Sequence, residues 1–303
     1  MTGEPIGFVG IGSIGFPMMA HLVRSGAPVY VHDAARAALD RAAAIGAAVC
    51  ASAKEVADRA ALVMGCLPTP EADRAAVLAG EGIAAGERIR LYVDHSTVGS
   101  DTARTIADQL GARSVAMLDA PIAGGVLGAE HGELSIIASG EKEALGRAEP
   151  ALRLYATKIL HVSERIGDAQ VVKLANNMIV SANLIVAAEA LLFAVRSGLP
   201  AESALAALNE CTAKSFATER LLSRFVIERD FASGFRLELM RKDLGLCLAE
   251  AERAGSAMFV CNAAKQFFDL GVAHGAGARD VTEVVCELEK LAGAEIALTR
   301  RSD

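Results

Sequence analysis

The sequence predicts an α/β chain in two parts, a doubly wound, mostly parallel sheet over residues 1–164 and an all-helical domain over residues 165–303. Three observations predict it. Short apolar runs alternate with helical patterns through the first half. A glycine-rich turn follows the first of these runs and opens a helical pattern. The second half carries long helical patterns and no convincing strand.

Each element can be argued in order. A chain of 303 residues with 52% hydrophobic content favours two cores over one. The candidate strands are Ile6–Ile11, Val29–His32, Ala61–Cys66, Leu91–Asp94, Ser114–Leu118, Leu134–Ala138 and Ile159–Val162. Helical patterns separate several of them, as at Pro17–Ser25 and Ala34–Ile45. Composition shifts near Ser163–Gly167, which sets the boundary. Asp168–Arg196 then reads as one long helix, ended by Gly198, with Pro200 placed to open the next. Further patterns cover Ala201–Asn209, Glu238–Ala254, Ala257–Ala273 and Asp280–Ala292.

Bulk properties narrow the function. The formal net charge is −7, with basic residues scattered, which argues against nucleic acid as a main partner. Six cysteines form no CxxC, and six histidines form no HxH or HxxxH pair. Neither a disulfide framework nor a metal site is expected, and a reducing cytoplasm fits best. The Met-Thr-Gly-Glu-Pro opening has no basic stretch before an apolar one, so no signal peptide is expected. Met178–Val195 is the sole candidate membrane span. It contains Asn183 and Glu189, so a buried helix between domains is expected instead, with no membrane partner.

Gly10-Ile11-Gly12-Ser13-Ile14-Gly15 follows the first strand and precedes a helical pattern. Alone, GxGxxG is a weak signal. In a strand–turn–helix unit, with Asp33 ending the next strand, it becomes a dinucleotide fingerprint of the Rossmann type. Gly10 permits the tight turn, Gly12 lets the pyrophosphate approach the backbone, and Gly15 lets helix and strand pack closely. The helix N-terminus offers its free N–H groups to the phosphates. Asp33 would accept from the ribose hydroxyls and repel a 2′-phosphate, which favours NAD. Arg36 nearby keeps NADP open as the second cofactor.

Beyond the fingerprint, the chain resembles the β-hydroxyacid dehydrogenases, the group that includes 3-hydroxyisobutyrate dehydrogenase. The residues that carry the resemblance run nearly end to end. Phe8 to Met18 resembles the family's opening, with Ile14 where methionine is usual. Cys66-Leu67-Pro68 resembles the loop that covers the cofactor. Asp94-His95-Ser96-Thr97 matches D-x-S-T. Asp119-Ala120-Pro121-Ile122-Ala123-Gly124-Gly125 resembles the substrate loop, with Ala123 where serine is usual. Gly167 through Lys173 to Asn176-Asn177 resembles the catalytic segment, with Ala169 for a second glycine. Lys242-Asp243-Leu244 matches the late K-D-L, and Gly275 to Asp280 is a degraded form of G-x-G-D-x-D.

The resemblance implies roles. Lys173 is implied as general acid/base, Ser96, Gly124, Gly125 and Asn177 as substrate-binding residues, and Leu67, Pro68, Thr97 and Lys242 as cofactor contacts. Physical reading agrees in part. Lys173 and Asn177 stand four apart on one helical face. That helix is otherwise apolar, and desolvation favours the neutral amine a base needs. Gly124 and Gly125 lack side chains that would block their backbone N–H groups, so they suit a carboxylate. Ser96 and Thr97 also read as a helix N-cap. His95 reads as structural, since nothing suggests a triad.

The implied reaction is reversible oxidation of a small, carboxylate-bearing β-hydroxy acid to its semialdehyde or keto acid. Lys173-Leu174-Ala175-Asn176-Asn177 lacks the histidine before asparagine expected of a 6-phosphogluconate-type decarboxylating enzyme, and imine reductases usually lack the lysine. A non-catalytic NAD-binding module would need the fingerprint but neither Lys173 nor the Gly124-Gly125 loop. The apolar long helix and alanine-rich later helices lead us to expect a homodimer or homotetramer.

Overall fold

The apolar runs of the first half become strands because both their faces find cover. In the computed structural model, which describes residues 3–298, the chain opens β1 (Ile6–Val9), α1 (Gly15–Arg24), β2 (Val29–His32), α2 (Arg36–Ala44), β3 (Ala48–Val49), α3 (Ala53–Arg59), β4 (Leu62–Gly65) and α4 (Pro70–Leu78). It continues β5 (Leu91–Asp94), α5 (Ser100–Gly111), β6 (Ala116–Asp119), β7 (Ile122–Ala123), α6 (Gly125–His131), β8 (Leu134–Ser139), α7 (Lys142–Leu152) and β9 (Ala156–Ser163). Side chains alternate between two buried faces. Phe8, Met64, Val93 and Leu118 join one core with Met18, Leu22 and Tyr155. Val9, Val63, Tyr92 and Met117 join the other with Val56, Ile106 and Leu110. Burial on both faces is what a parallel sheet with helices on each side requires.

The strand order is β3-β2-β1-β4-β5-β6-β8-β7, with β9 on β8. β3 through β6 run parallel, and β8 joins β6 antiparallel. The order reverses between β1 and β4, and ligands of open α/β sheets bind outside the strand ends at such a switch point. The register puts His32, Val9, Gly65, Asp94 and Asp119 in one row across the sheet. Loops carrying the fingerprint, Leu67-Pro68, Ser96-Thr97 and the Gly124-Gly125 segment therefore all leave the same edge.

The second half is helical: α8 (Asp168–Arg196), α9 (Ala201–Glu210), a π-helical stretch (Ala217–Val226), α10 (Leu237–Arg253), α11 (Phe259–Ala273), a 3-10 turn (Val281–Val284) and α12 (Val285–Ala292). Gly198 follows α8 with φ +89°, and Pro200 caps α9. α10 and α11 form an antiparallel pair, with Arg241 Nε 2.6 Å from Asp269 Oδ1. The chain divides into two units, Met1–Leu174 and Ala175–Asp303. The division falls inside α8, not at the composition change before it.

Several expectations need correction. β1 stops at Val9, because Gly10 turns away at φ +86°. The strand expected from Ser114 begins at Ala116, since Ser114 is itself a turn residue at φ +58°. The helix expected over Asp280–Ala292 is a 3-10 turn and then α12, with Asp280 as cap through its Oδ1 and Thr282 N at 3.0 Å. The long helix is not wholly buried. By length and composition α8 suffices to cross a membrane, and it exposes Val172, Ile179, Val186 and Phe193, seven apart along one stripe.

Candidate active site

The fingerprint loop fits its three glycines for three different reasons. A Cβ on Gly10 would stand 2.5 Å from the Cys66 carbonyl oxygen, and one on Gly15 would overlap the Gly10 carbonyl oxygen. A Cβ on Gly12 would meet nothing within 4 Å, so the backbone there faces open space. Tight turn, close packing and an open approach are what a pyrophosphate cradle needs. Ser13 and Ile14 complete the loop before α1.

Asp33 follows β2 and shapes this loop. Its Oδ2 accepts from Ile11 N at 2.7 Å and its Oδ1 from Ala35 N at 2.7 Å. Each carboxylate oxygen keeps a further lone pair for a ribose hydroxyl. Arg36 is exposed and turned to Asp40, with its Nε 2.9 Å from Oδ1.

The loop after β5 is bound into the protein by its own side chains. Leu67 N donates to Ser96 Oγ at 2.9 Å, and Ser96 N donates to Asp94 Oδ1 at 2.9 Å. The Ser96 hydroxyl also favours the ionised forms of Asp73 and Asp94. Ser96, whose hydroxyl is expected to reach substrate, is thus 2% exposed, with that hydroxyl turned to the Leu67 amide. Thr97 is partly exposed and Pro68 exposed.

Beneath that loop lies a pair of acids that sequence reasoning missed. Asp73 and Asp94 are both wholly buried. Burial, and then each other's charge, hold Asp94 well above the usual carboxylate range, and burial pushes Asp73 up to about 6. Asp73 Oδ2 and Asp94 Oδ2 have no donor among the described residues, so a proton retained between the two acids would satisfy both. Tyr92 donates to Asp73 Oδ1 at 3.1 Å.

His95 is structural, as its sequence context suggested. Its Nδ1 lies 2.7 Å from the Ala120 carbonyl, which can only accept, so the proton is on Nδ1. Nε2 then accepts from the Tyr155 hydroxyl at 2.9 Å. Burial lowers its pKa to about 4 and keeps the ring neutral.

Asp119 ends β6 at the head of the substrate loop. Burial pushes it up to about 7, while hydrogen bonds from Gln170, Ser139 and Gly167 favour its ionised form. Gly124 and Gly125 follow with φ +129° and +67°, backbone that favours glycine. They open α6, whose first amides have no intrahelical acceptor.

Gln170, also missed from sequence, is wholly buried on α8. Its Nε2 donates to Ser96 O at 3.0 Å and to Asp119 Oδ1 at 2.6 Å. Lys173 follows one turn later and is 9% exposed. Its position is thereby fixed near the β5 and β6 strand ends, within the first unit. Residues of the second unit form their own cluster. Asn177 Nδ2 donates to Asp243 Oδ2 at 2.7 Å. Lys242 Nζ sits 2.9 Å from Asp243 Oδ1, close enough for an ion pair though not aligned as a hydrogen bond. Asp243 is buried, so Lys242 is not merely a surface charge.

Two family models cover most of the chain. One, described as the NAD binding domain of 6-phosphogluconate dehydrogenase, matches residues 5–163. The other, described as NAD-binding of NADP-dependent 3-hydroxyisobutyrate dehydrogenase, matches residues 167–288. The chain belongs to the β-hydroxyacid dehydrogenase family. It is 30% identical over 294 residues to 2-(hydroxymethyl)glutarate dehydrogenase of Eubacterium barkeri, covering 96% of this chain and 97% of that one. It is 31% identical to the NAD-dependent L-serine dehydrogenase of Pseudomonas aeruginosa, covering 93% and 96%. The solved 3-hydroxyisobutyrate dehydrogenase of Mycobacterium tuberculosis with L-serine aligns at TM-score 0.81 and 31% identity, covering 94% and 99%. Family membership makes this an NAD- or NADP-dependent oxidoreductase acting on a CH–OH group. Imine reductases of Myxococcus stipitatus share the fold at 18% identity, which says nothing of chemistry.

Proposed function

We propose that this β-hydroxyacid dehydrogenase interconverts a short β-hydroxy acid and its semialdehyde or keto acid, prefers NAD, and uses Lys173 as general acid/base. The observation that carries this reading is the placement of a buried lysine one turn beyond Gln170, itself bonded to the loop after β5 and to the acid heading the Gly124-Gly125 segment.

A bound nicotinamide would supply the hydride acceptor for oxidation and the donor for reduction. The protein does the rest. The Gly124 and Gly125 amides hold the substrate carboxylate. Lys173 Nζ takes the hydroxyl proton in oxidation and returns it in reduction. Asn177 is assigned to substrate binding, and its bond to Asp243 fixes its own amide. We assign Ser96 to holding the Leu67-Pro68 loop. Asp33 selects NAD, a choice supported by the engagement of Arg36 with Asp40.

Purified protein should reduce NAD with at least one short hydroxy acid in a panel tested with both cofactors. Loss of that activity across the whole panel, in both directions and with both cofactors, would sink the reading.

We also infer a homo-oligomer, a dimer or tetramer. Val172, Ile179, Val186 and Phe193 leave an apolar stripe along α8, with Phe193 74% exposed, and such a stripe calls for cover. Light scattering at working concentration should give a multiple of 31.4 kDa; a monomeric mass contradicts the inference. The described cysteines are all free, which fits the reducing cytoplasm we assign to the protein.

A further inference from the structure

Gln170 fills the whole hydrogen-bonding capacity of its amide. Oε1 accepts from Val98 N at 2.9 Å and Gly99 N at 3.1 Å. Nε2 donates to the Ser96 carbonyl at 3.0 Å and to Asp119 Oδ1 at 2.6 Å. The orientation is not in question, since backbone N–H groups require the oxygen and the Ser96 carbonyl requires the NH2. No other side-chain type of this length offers two donors and two acceptors on one planar group.

These four bonds join three chain segments that the reaction needs in one place. One is the loop after β5, from Ser96 to Gly99. The second is Asp119, which heads the Gly124-Gly125 segment. The third is α8 itself, which carries Lys173 three residues further on and therefore beside Gln170 on the helix surface. The N-terminal end of α8 is docked on the same acid. Gly167 N donates to Asp119 Oδ2 at 3.1 Å, and Ala169 N donates to Ser139 Oγ at 3.1 Å. Ser139 Oγ in turn donates to Asp119 Oδ2 at 3.1 Å. Asp119 thus accepts the Gly167 N–H at the head of α8, which favours a carboxylate there.

We propose that Gln170 is a positioning residue: its amide locks the Lys173 helix to the loop after β5 and to Asp119, and so sets the lysine amine against substrate held at Gly124-Gly125. The inference rests on the proposed role of Lys173. Gln170 itself touches neither substrate nor cofactor. Its bonds are to protein groups that are buried, so their loss is not made good by water.

The test compares Gln170→Met and Gln170→Glu with the parent enzyme on a hydroxy acid that the parent oxidises. Gln170→Met keeps the length and removes all four bonds. A displacement of about an ångström at a catalytic group costs on the order of 10²-fold, and kcat should fall by about that factor. The Kd for NAD should change by far less than kcat, because the fingerprint loop and Asp33 are untouched. Gln170→Glu is isosteric and leaves no cavity, and so serves as the second variant should Gln170→Met fail to fold. As a carboxylate it repels Asp119 and the Ser96 carbonyl; once protonated it regains one donor. The ratio of its kcat to that of the parent should therefore rise about tenfold or more as pH is lowered from 8 to 6.

The proposal is overturned if either folded variant keeps kcat within about threefold of the parent across that range, or if kcat falls only in parallel with NAD affinity. A parent enzyme that oxidises no hydroxy acid instead defeats the reading of function. Normal parent turnover with unperturbed Gln170 variants defeats this inference alone.

Discussion

The Ser96 hydroxyl oxygen accepts the Leu67 amide proton at 2.9 Å, so the loop leaving β5 holds up the loop leaving β4. Both loops lie on the strand-end edge beside the fingerprint. Ser96→Ala would strip a buried amide of its acceptor, at a cost of roughly 1–3 kcal/mol. The effect should appear mainly in the KM for NAD, which should rise by roughly three- to tenfold or more. The KM for the hydroxy acid should move little. Steady-state kinetics with each ligand varied in turn separates the two. A rise confined to the hydroxy acid would mean that Ser96 serves substrate after all.

Asp33 supplies the second expectation. Its carboxylate holds the Ile11 and Ala35 amides, and on the proposed function its charge would repel a 2′-phosphate. Asp33→Ser should lower kcat/KM with NAD by about tenfold or more, the scale of a lost charge-assisted hydrogen bond. It should also narrow the gap to NADP. A parent enzyme already faster with NADP would show that Asp33 does not select the cofactor.

The proton that burial favours on Asp73 and Asp94 should make stability depend on pH. Burial raises both acids above their unfolded values, Asp73 to about 6. Between about 3.9 and 6 the folded state then binds more protons than the unfolded chain. This contribution is fully present below the unfolded value and is lost as pH rises through the folded one. His95 has the opposite sign. Its pKa is lowered to about 4 by burial, so its contribution is present above about 6.5 and is lost as pH falls. Asp94→Asn isolates the acid pair, because its amide donates to Asp73 without a shared proton and still accepts from Ser96 N. The Tm difference between this variant and the parent should move in the variant's favour as pH rises from 5 to 8. A pH-independent difference would remove the shared proton from the account.

The sequence carried the architecture because apolar runs buried on both faces leave a periodic record. Phe8 and Val9 point to opposite cores, yet both are apolar and both mark β1. Gly10, Gly12 and Gly15 were legible because a cradle for phosphate leaves glycine where other residues would collide or obstruct. The short alanine-rich helices were harder. α3 contributes only Ala53, Val56 and Ala57 to burial, too little apolar surface to set a period. Lys173 could be singled out because its segment resembles the family's catalytic one, whereas residue type alone singles out neither Gln170 nor Asp73. A glutamine such as Gln170 is ordinarily exposed, and nothing local announces that its partners come from Ser96, Val98, Gly99 and Asp119. The bond from Leu67 N to Ser96 Oγ was equally hidden, since a hydroxyl's direction is set by neighbours distant in sequence. A usable signal for the acids was their position: Asp94 and Asp119 each end a wholly apolar strand, where a carboxylate must find donors or a proton.

The last expectation concerns the chemistry of Lys173. The helix that carries it is anchored through Gln170, Gly167 and Ala169, all bonded to residues at the β5, β6 and β8 ends. Truncating the side chain beyond Cβ therefore leaves that anchorage intact. Lys173→Ala should bind NAD within a few-fold of the parent, since the cradle and Asp33 lie on other segments. Its kcat should fall by on the order of 10²-fold or more, the contribution of a positioned general base. Lys173→Arg should not restore the rate, because the guanidinium stays protonated and cannot accept the hydroxyl proton. Oxidation by the parent should accelerate with pH as the amine gives up its proton, and reduction should slow over the same range. That dependence should vanish from the residual rate of Lys173→Ala. Measuring kcat in both directions across the pH range, with NAD binding followed separately by fluorescence, distinguishes lost proton transfer from lost cofactor. If Lys173→Ala turned over at a near-parental rate with the same pH profile, another group would have to move the proton, and the lysine would be left with no task beyond its place in the helix.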